Sequence, residues 1–202
     1  ALLLVASHLA IPPPSDQSGP MASDRKLALF GFLLGIGLGN HLTLLAVAAP
    51  LLYWLWKALG WRRLASPWII GAFLLGISVY AYLPIRASQH PPVNWGNAET
   101  FKGVFWMLTA RPYQDYVFGV APGTIPTRLA SWLELVFSQF NPLGLFFGLI
   151  GARALLLRAS PLFLGTLASI LVISVYSVTY NTSDFDVLML PAFFLFSAWT
   201  GF

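Results

Sequence analysis

The chain has no cysteine and very few charged residues. None of its 202 residues is Cys, and Asp, Glu, Lys and Arg together make up 9%. The absence of Cys excludes disulfide bonds and thiolate metal sites. A soluble globular domain carries about 25% charged residues, whereas here hydrophobic residues make up 57%. The sequence therefore predicts a membrane protein.

Several kinds of site are also missing from the sequence. It contains no Cys/His spacing for zinc, no Gly-Lys-Ser/Thr phosphate loop and no serine nucleophile elbow. The formal net charge of +4 is small, and the basic residues lie between apolar runs, as in membrane loops. We expect no metal, no cofactor and no nucleic-acid partner, and we expect membrane lipids around the chain.

The apolar runs predict an all-α, polytopic transmembrane helix bundle that forms a single membrane domain. A spanning helix needs about 20 apolar residues. We expect membrane helices at about 1–12 (partial), 27–39, 43–58, 67–84, 143–158, 161–180 and 187–202 (partial). Because the chain begins and ends inside apolar runs, we also expect it to be a piece of a longer protein.

The uncharged run from Leu27 to Trp56 is too long for one upright helix. Alternate glycines at 35–39 weaken a helix, and Asn40 and His41 are costly in hydrocarbon without partners. We favour two short helices that turn at Asn40-His41 over one long tilted helix.

The longest polar interval is the loop 86–142, where we expect interfacial amphipathic helices. At 127–140, apolar residues recur with helical spacing, which is typical of a helix lying in the membrane interface. Its apolar face is predicted to contain Leu129, Trp132, Leu133, Val136, Phe137 and Phe140. Arg128, Ser131, Glu134 and Gln139 are predicted to lie on the opposite face.

The charges indicate an orientation. If 27–58 is a hairpin, one side receives Arg25, Lys26, Lys57, Arg62, Arg63, Arg153 and Arg158. The positive-inside rule makes that side cytoplasmic. We therefore expect a multi-pass protein of the cell (inner) membrane, with the 86–142 loop and the turn 181–186 outside the cytoplasm.

Three groups of polar residues at helix ends are candidates for substrate binding. Asn40 and His41 would bind a phosphate or relay a proton, or else satisfy the backbone groups of the turn. Arg86 has the geometry to hold a lipid-linked phosphate, or else it snorkels to lipid headgroups. The same pair of interpretations applies to Arg111, beside Tyr113.

Two further groups lie in loops. Asn94 and Trp95, with Asn97, would form a platform for a sugar; alternatively, Trp95 is an interfacial anchor and Asn97 caps the helix that follows. Asp184 and Asp186 are weak candidates for a catalytic base or a metal site, and one of them is equally explained as a helix N-cap.

Five stretches, taken together, resemble one family of membrane proteins. They are Gly35-Ile-Gly-Leu-Gly-Asn-His41-Leu-Thr43, the segment 75–87 ending in Pro84-Ile-Arg86-Ala87, Pro92-Val-Asn94-Trp95-Gly96-Asn97 with Leu108-Thr-Ala-Arg111-Pro-Tyr113, and Tyr180-Asn-Thr-Ser-Asp184-Phe-Asp186 up to Pro191. The chain is similar to the TMEM260-type protein O-mannosyltransferases, also catalogued as DUF2723, within the GT-C glycosyltransferases.

The resemblance implies transfer of a mannose-like sugar from a polyprenyl-phosphate donor to a protein hydroxyl outside the cytoplasm. It also implies an acidic residue after the Trp-Gly pair, where this chain has Asn97. It further implies that the catalytic carboxylate lies in a first outward loop, upstream of Ala1. On that basis the present piece alone is expected to be inactive.

Two other functions stay open. A non-catalytic accessory or structural subunit would pack against other membrane subunits through its many aromatic residues. A transporter would use the broken helix at Asn40-His41, although no inverted repeat is visible.

Overall fold

A computed structural model of the chain describes residues 20–94 and 96–202, with the side chains of 20–23 left aside. The predicted partial helix 1–12 and the candidate residue Trp95 lie outside the described residues. All regular structure in the described ranges is helical. The helices are α1 (Pro20–Asn40), α2 (Leu44–Leu59), α3 (Trp61–Leu64), α4 (Pro67–Ile77), α5 (Tyr82–Ala87), α6 (Phe101–Leu108), α7 (Ile125–Thr179), α8 (Phe185–Leu188) and α9 (Leu190–Trp199).

The structure has a break between α1 and α2, at residues 41–43. The chain reverses direction there. A hydrogen bond shows this: Nη2 of Arg63, just beyond α2, donates to Oδ1 of Asp24 in α1 at 3.1 Å. A single long helix would hold these two side chains far apart. α1 begins earlier than predicted, so Asp24 lies inside it, where it pairs with Arg63 and does not cap the helix.

α1 and α4 run parallel and touch through glycines. A Cβ at Gly35 would collide with the backbone of Phe73, and one at Gly76 would collide with the backbone of Phe32. Helices approach this closely only where small residues meet, a common arrangement between membrane helices.

The predicted end of the fourth helix at Pro84 is wrong, because the chain stays helical to Ala87. A 3-10 helix at Ser78–Ala81 separates α4 from α5, which starts at Tyr82. Pro84 therefore lies in the first turn of α5, where a missing backbone N–H is tolerated.

α7 contains two breaks that divide it into the segments 125–140, 142–158 and 160–179. Asn141 (φ 49°, ψ 174°) and Ala159 (φ −149°, ψ 61°) leave the helical conformation shortly before Pro142 and Pro161. Oδ1 of Asn141 accepts from the backbone N of Leu143 at 2.9 Å, which restarts the helix after the first break. Segment 125–140, predicted as a separate helix in the loop, is thus the first part of α7.

Two helical stretches are long and apolar enough to cross a membrane. They are Pro67–Ala87 and Pro122–Thr179. The apolar helices Leu44–Leu59 and Leu190–Trp199 are shorter. The second stretch far exceeds the length of one span, about 20 residues, and its internal breaks divide it into shorter lengths.

The core forms where segment 160–179 packs antiparallel to α2 and to α9. Ser169 donates to the backbone O of Val47 in α2 at 3.3 Å. On the α9 side, Nε1 of Trp199 donates to Oγ1 of Thr166 at 3.0 Å, and both residues are buried. The predicted final helix 187–202 is two helices, α8 and α9, which meet at Met189.

The alternating helix directions give the molecule two ends. One, here called the basic end, carries Arg25, Lys26, Lys57, Arg62, Arg63, Arg153 and Arg158. The other, here called the polar end, comprises residues 40–43, 86–94, 96–128 and 180–186.

Candidate functional site

Asn40 and His41 lie at the break between α1 and α2, and both are exposed. Nδ1 of His41 lies 2.8 Å from Oγ1 of Thr43 and also accepts from the Thr43 backbone N at 3.3 Å. These contacts are local to the turn. Within residues 20–94 and 96–202, no side-chain hydrogen bond or ion pair joins His41 to another candidate residue, so its role in substrate binding stays a prediction.

Arg86 and Arg111 are both exposed, and each donates to a glutamine three residues further along. The distance from Nη1 of Arg86 to Oε1 of Gln89 is 2.9 Å, and that from Nη1 of Arg111 to Oε1 of Gln114 is 2.5 Å. A neutral amide leaves the positive charge uncompensated. Both guanidinium groups therefore remain suited to an anionic partner at the polar end.

The loop between α5 and α6 has an unusual backbone. His90 (φ 48°) and Asn97 (φ 46°) adopt the left-handed conformation, next to Gly96 (φ 74°). Left-handed non-glycine residues are uncommon and concentrate at functional sites. In this part of the loop the described residues His90, Asn94 and Asn97 lie close to Glu99 or to one another.

The fold of this loop brings a carboxylate, Glu99, to the motif residues. Nδ2 of Asn94 donates to Oε1 of Glu99 at 3.2 Å and to Oδ1 of Asn97 at 3.3 Å. Nδ1 of His90 lies 3.3 Å from the same Glu99 oxygen. Sequence reasoning missed Glu99 because it sought an acidic residue directly after Trp-Gly. The carboxylate comes two positions later, and the turn at 96–97 carries it back.

A shallow cavity of about 290 Å³ adjoins this cluster. It is lined by Gly96, Asn97, Thr100, Lys102, Gly103 and Trp106. The interpretation of Asn97 as a helix cap is wrong: α6 is capped by Thr100, whose Oγ1 accepts from the Gly103 backbone N at 3.1 Å. The Asn97 side chain instead belongs to the polar cluster.

The segment after α6 joins the turn that follows α7. The backbone N of Asn181 donates to the O of Tyr116 at 2.9 Å, and the Tyr116 and Tyr180 rings stack at 5.8 Å. Burial raises the pKa of Tyr180, and the phenols of Tyr113 and Tyr116 raise it further, while a hydrogen bond with Tyr176 acts the other way. The candidate Tyr113 therefore lies near enough to Tyr180, at the start of the 180–186 turn, to interact with it electrostatically.

Arg128 fixes the same turn from α7. Its Nη2 donates to the backbone O of Thr182 at 2.6 Å, and its guanidinium lies 4.8 Å over the Phe185 ring. Arg128 was predicted on the face opposite the apolar one. That prediction is wrong, because the Arg128 side chain is half-buried against the 180–186 turn.

The packed face of segment 125–140 is rotated from the predicted one. Of the residues predicted on the apolar face, Trp132, Val136 and Phe140 pack against the core. Leu129, Leu133 and Phe137, predicted on the same face, are exposed. The segment has two apolar stripes, and spacing alone does not show which of them packs. This is why sequence reasoning missed Arg128.

Asp184 and Asp186 are exposed on the turn before and within α8. Oδ1 of Asp184 accepts from Oγ of Ser183 at 3.0 Å, and Asp184 makes no side-chain capping hydrogen bond to α8. Within residues 20–94 and 96–202, no three His, Cys, Asp or Glu residues group as metal ligands. A role of either carboxylate as catalytic base stays a prediction.

The regular structure of the described residues is helical and includes two candidate membrane spans, and the polar end is rich in amides, aromatic rings and arginines. These features are typical of a membrane protein. A comparison with known proteins narrows this class. The chain is 30% identical, over 143 residues, to the protein O-mannosyl-transferase tmem260 of Dictyostelium discoideum. This supports a TMEM260-like relationship.

The match covers 67% of this chain and 18% of the relative, so the chain spans less than a fifth of the length of that protein. No family model matches the chain, and no solved structure does. The finer assignments to DUF2723 and to the GT-C fold therefore stay predictions.

Proposed function

We propose that the chain is part of a membrane glycosyltransferase. It would transfer a mannose-like sugar from a polyprenyl-phosphate donor to a protein hydroxyl at the outer face of the membrane. The similarity to the O-mannosyl-transferase carries this proposal. The polar end supports it, because this end collects a carboxylate, amides and uncompensated arginines on one side of the candidate spans.

The reaction needs two kinds of group. A carboxylate takes the proton from the acceptor hydroxyl as its oxygen bonds to the anomeric carbon of the sugar. The bond from that carbon to the phosphate oxygen breaks, and cations stabilise the departing polyprenyl phosphate. We assign the role of base to Glu99, which Asn94 orients and His90 flanks. This assignment departs from the resemblance, which implies a catalytic carboxylate upstream of Ala1. Arg86 and Arg111 are assigned to the phosphate.

The basic end supports the orientation. Seven Lys and Arg residues lie there with one paired carboxylate, Asp24, and cytoplasmic loops carry such an excess. The polar end would then face the outside, where a lipid-linked sugar donor and a secreted hydroxyl acceptor are both available.

Transfer by the full-length protein tests this function. In neutral vesicles with a prenyl-phosphate mannose and a Ser/Thr peptide, mass spectrometry should detect the mannosylated peptide. Glu99→Gln is expected to lower the rate at least about 100-fold, since general-base catalysis contributes that much. Glu134→Gln, an exposed carboxylate on segment 125–140, is the matched control and should keep the rate.

A normal rate in Glu99→Gln would remove Glu99 from the reaction while leaving the function intact. Arg86→Ala is likewise expected to abolish transfer without unfolding the protein. No transfer by the unmodified protein with any prenyl-linked sugar would contradict the proposed function. In that case the accessory-subunit alternative, which the 18% coverage of the relative leaves open, would take its place.

A further inference from the structure

Two buried hydrogen-bond donors on α7 have no acceptor. Nη1 of Arg128 and Nε1 of Trp132 are both buried and lack a hydrogen-bond partner. The residues are four apart, so their side chains lie one above the other on one helix face. An arginine guanidinium and an indole N–H can only donate, so both groups require an acceptor.

The guanidinium is also an uncompensated charge. Within residues 20–94 and 96–202, Arg128 forms no ion pair, because no carboxylate lies within 4 Å of its guanidinium. Its Nη2 donates to the carbonyl of Thr182, a neutral group. A buried cation without a counter-charge is expensive, so an anionic partner would stabilise it.

The position of the pair decides what kind of anion fits. Arg128 as a whole is half-buried, its Nη1 is enclosed, and its guanidinium lies 4.8 Å over the Phe185 ring. The site lies where segment 125–140 meets the 180–186 turn, at the polar end of a candidate span. A planar guanidinium with a second donor beside it suits an oxyanion such as a phosphate ester.

Further unpartnered polar atoms lie in the same helix. In the part of the chain that the structure describes, the other buried side-chain atoms without a partner are the hydroxyls of Ser174 and Ser177. Both belong to the last turns of α7, directly before the 180–186 turn. The basic end has no such atom among its described residues. Within residues 20–94 and 96–202, the buried side-chain atoms without a partner therefore all belong to α7.

We propose that Arg128 and Trp132 form a binding site for the phosphate of a membrane-embedded phosphate ester, with both donors directed at its oxygens. The identification of the ester as a prenyl phosphate rests on the proposed function, and the site would be a second phosphate site beside the one assigned to Arg86 and Arg111. A phospholipid headgroup offers the same phosphate chemistry. Binding needs no transfer, so the site and the transferase activity can fail separately.

The test is equilibrium binding to the full-length protein in phosphatidylcholine nanodiscs. Farnesyl phosphate is the probe, and farnesol, which has the same tail without the phosphate, is its control. The protein should bind farnesyl phosphate at least about 10-fold more tightly than farnesol, because a charge-assisted pair contributes about 1.5–3 kcal/mol.

Each of two variants removes the hydrogen-bond donors of one residue of the proposed site. Arg128→Gln should weaken farnesyl phosphate binding about 10-fold or more, and Trp132→Phe about 5-fold, with farnesol binding unchanged. Trp132→Phe keeps an aromatic ring and removes a donor that is unpaired in the free protein, so the melting temperature should hold or rise. Arg153→Gln and Trp68→Phe, exposed residues at the basic end, are the matched controls.

Each outcome has a fixed meaning. Competition by phosphatidylglycerol nanodiscs at similar strength would support the phosphate site and assign it to bilayer phospholipid. Competition only by prenyl phosphates would support the site and the donor assignment. Equal binding of farnesol and farnesyl phosphate, or unchanged affinity in Trp132→Phe with a folded protein, would overturn the proposal.

Discussion

The basic end and the polar end of this molecule are built by different means. Towards the basic end, helices contact one another through glycines such as Gly151 against the backbone of Trp199, and buried donors such as Nε1 of Trp199 have acceptors. At the polar end, non-glycine residues adopt left-handed backbone conformations, and the buried Nη1 of Arg128 and Nε1 of Trp132 in α7 have no acceptor. Close packing, in which buried donors have acceptors, is typical of a structural framework. Backbone strain and buried donors without acceptors are typical of a surface that binds a ligand.

The largest expected effect is in the framework. Gly76→Ala places a Cβ against the backbone of Phe32, which cannot move aside as a side chain can. We expect a loss of about 1–3 kcal/mol of folding free energy, measured by thermal unfolding in detergent.

Gly71→Ala is the matched control in the same helix, because nothing lies within 4 Å of the new Cβ. Alanine is favoured over glycine inside helices by about 0.5–1 kcal/mol, so this variant should be as stable as the native protein or more so. Equal destabilisation by both substitutions would contradict the assigned contact of α1 and α4.

Two tryptophans, one with and one without an acceptor for its indole N–H, allow the two ends to be compared by the same substitution. Trp199→Phe removes a buried hydrogen bond to Thr166 and should cost about 1 kcal/mol. Trp132→Phe removes a donor that has no acceptor and should cost nothing without ligand. Parallel melting curves of the two variants measure the difference. A larger loss in Trp132→Phe than in Trp199→Phe would break the contrast.

Alkaline pH should loosen the polar end first. Burial raises the pKa of Tyr180, so the folded state holds this proton more tightly than the unfolded chain. The resulting stability is complete below the unfolded pKa of about 10, and it is lost as pH rises through the folded pKa.

Two measurements as a function of pH check this prediction. Phenolate absorbance follows the ionisation of tyrosine, and limited proteolysis follows the loosening of the 180–186 turn. Tyr180→Phe should reduce the alkaline sensitivity of the turn, whereas Tyr53→Phe, an exposed tyrosine of α2, should not. Cleavage of the turn that is equally pH-dependent in Tyr180→Phe would show that Tyr180 does not hold it.

The smallest effect belongs to the exposed ion pair of the basic end. The side chains of Arg63 and Asp24 are 37% and 54% exposed, and surface pairs contribute about 0–1 kcal/mol. Asp24→Asn should therefore shift the unfolding transition only slightly, and added salt should erase the shift. A loss as large as that in Gly76→Ala would show that this end is held by charge and not by packing.

Apolar runs and helix breakers predicted much of the fold. The break at residues 41–43 followed from alternate glycines beside Asn40 and His41, and the breaks of α7 lie near Pro142 and Pro161. The extension of α5 to Ala87 was missed, because whether a proline ends a helix depends on its place in the turn, and the 3-10 helix before Tyr82 set that place.

The candidate site was less predictable, because its members meet through loop conformation and helix rotation. Glu99 reaches Asn94 only through the left-handed turn at 96–97. Arg128 reaches Thr182 only because segment 125–140 packs on one of its two apolar stripes. Neither the rotation of a helix about its axis nor the path of a short loop is encoded in residue spacing alone.

The basic end and the polar end are expected to lie on opposite sides of a membrane, and both the orientation and the proposed function depend on this. The described sequence has no cysteine, so a single introduced thiol reports its own position once any other cysteine of the full-length protein is replaced. Ser183→Cys at the polar end and Ser160→Cys at the basic end, both exposed, are treated in intact cells with a membrane-impermeant maleimide. Labelling of Ser183→Cys alone, with Ser160→Cys labelled only after permeabilisation, is the predicted result. Labelling of both thiols in intact cells, or of Ser160→Cys alone, would contradict the account.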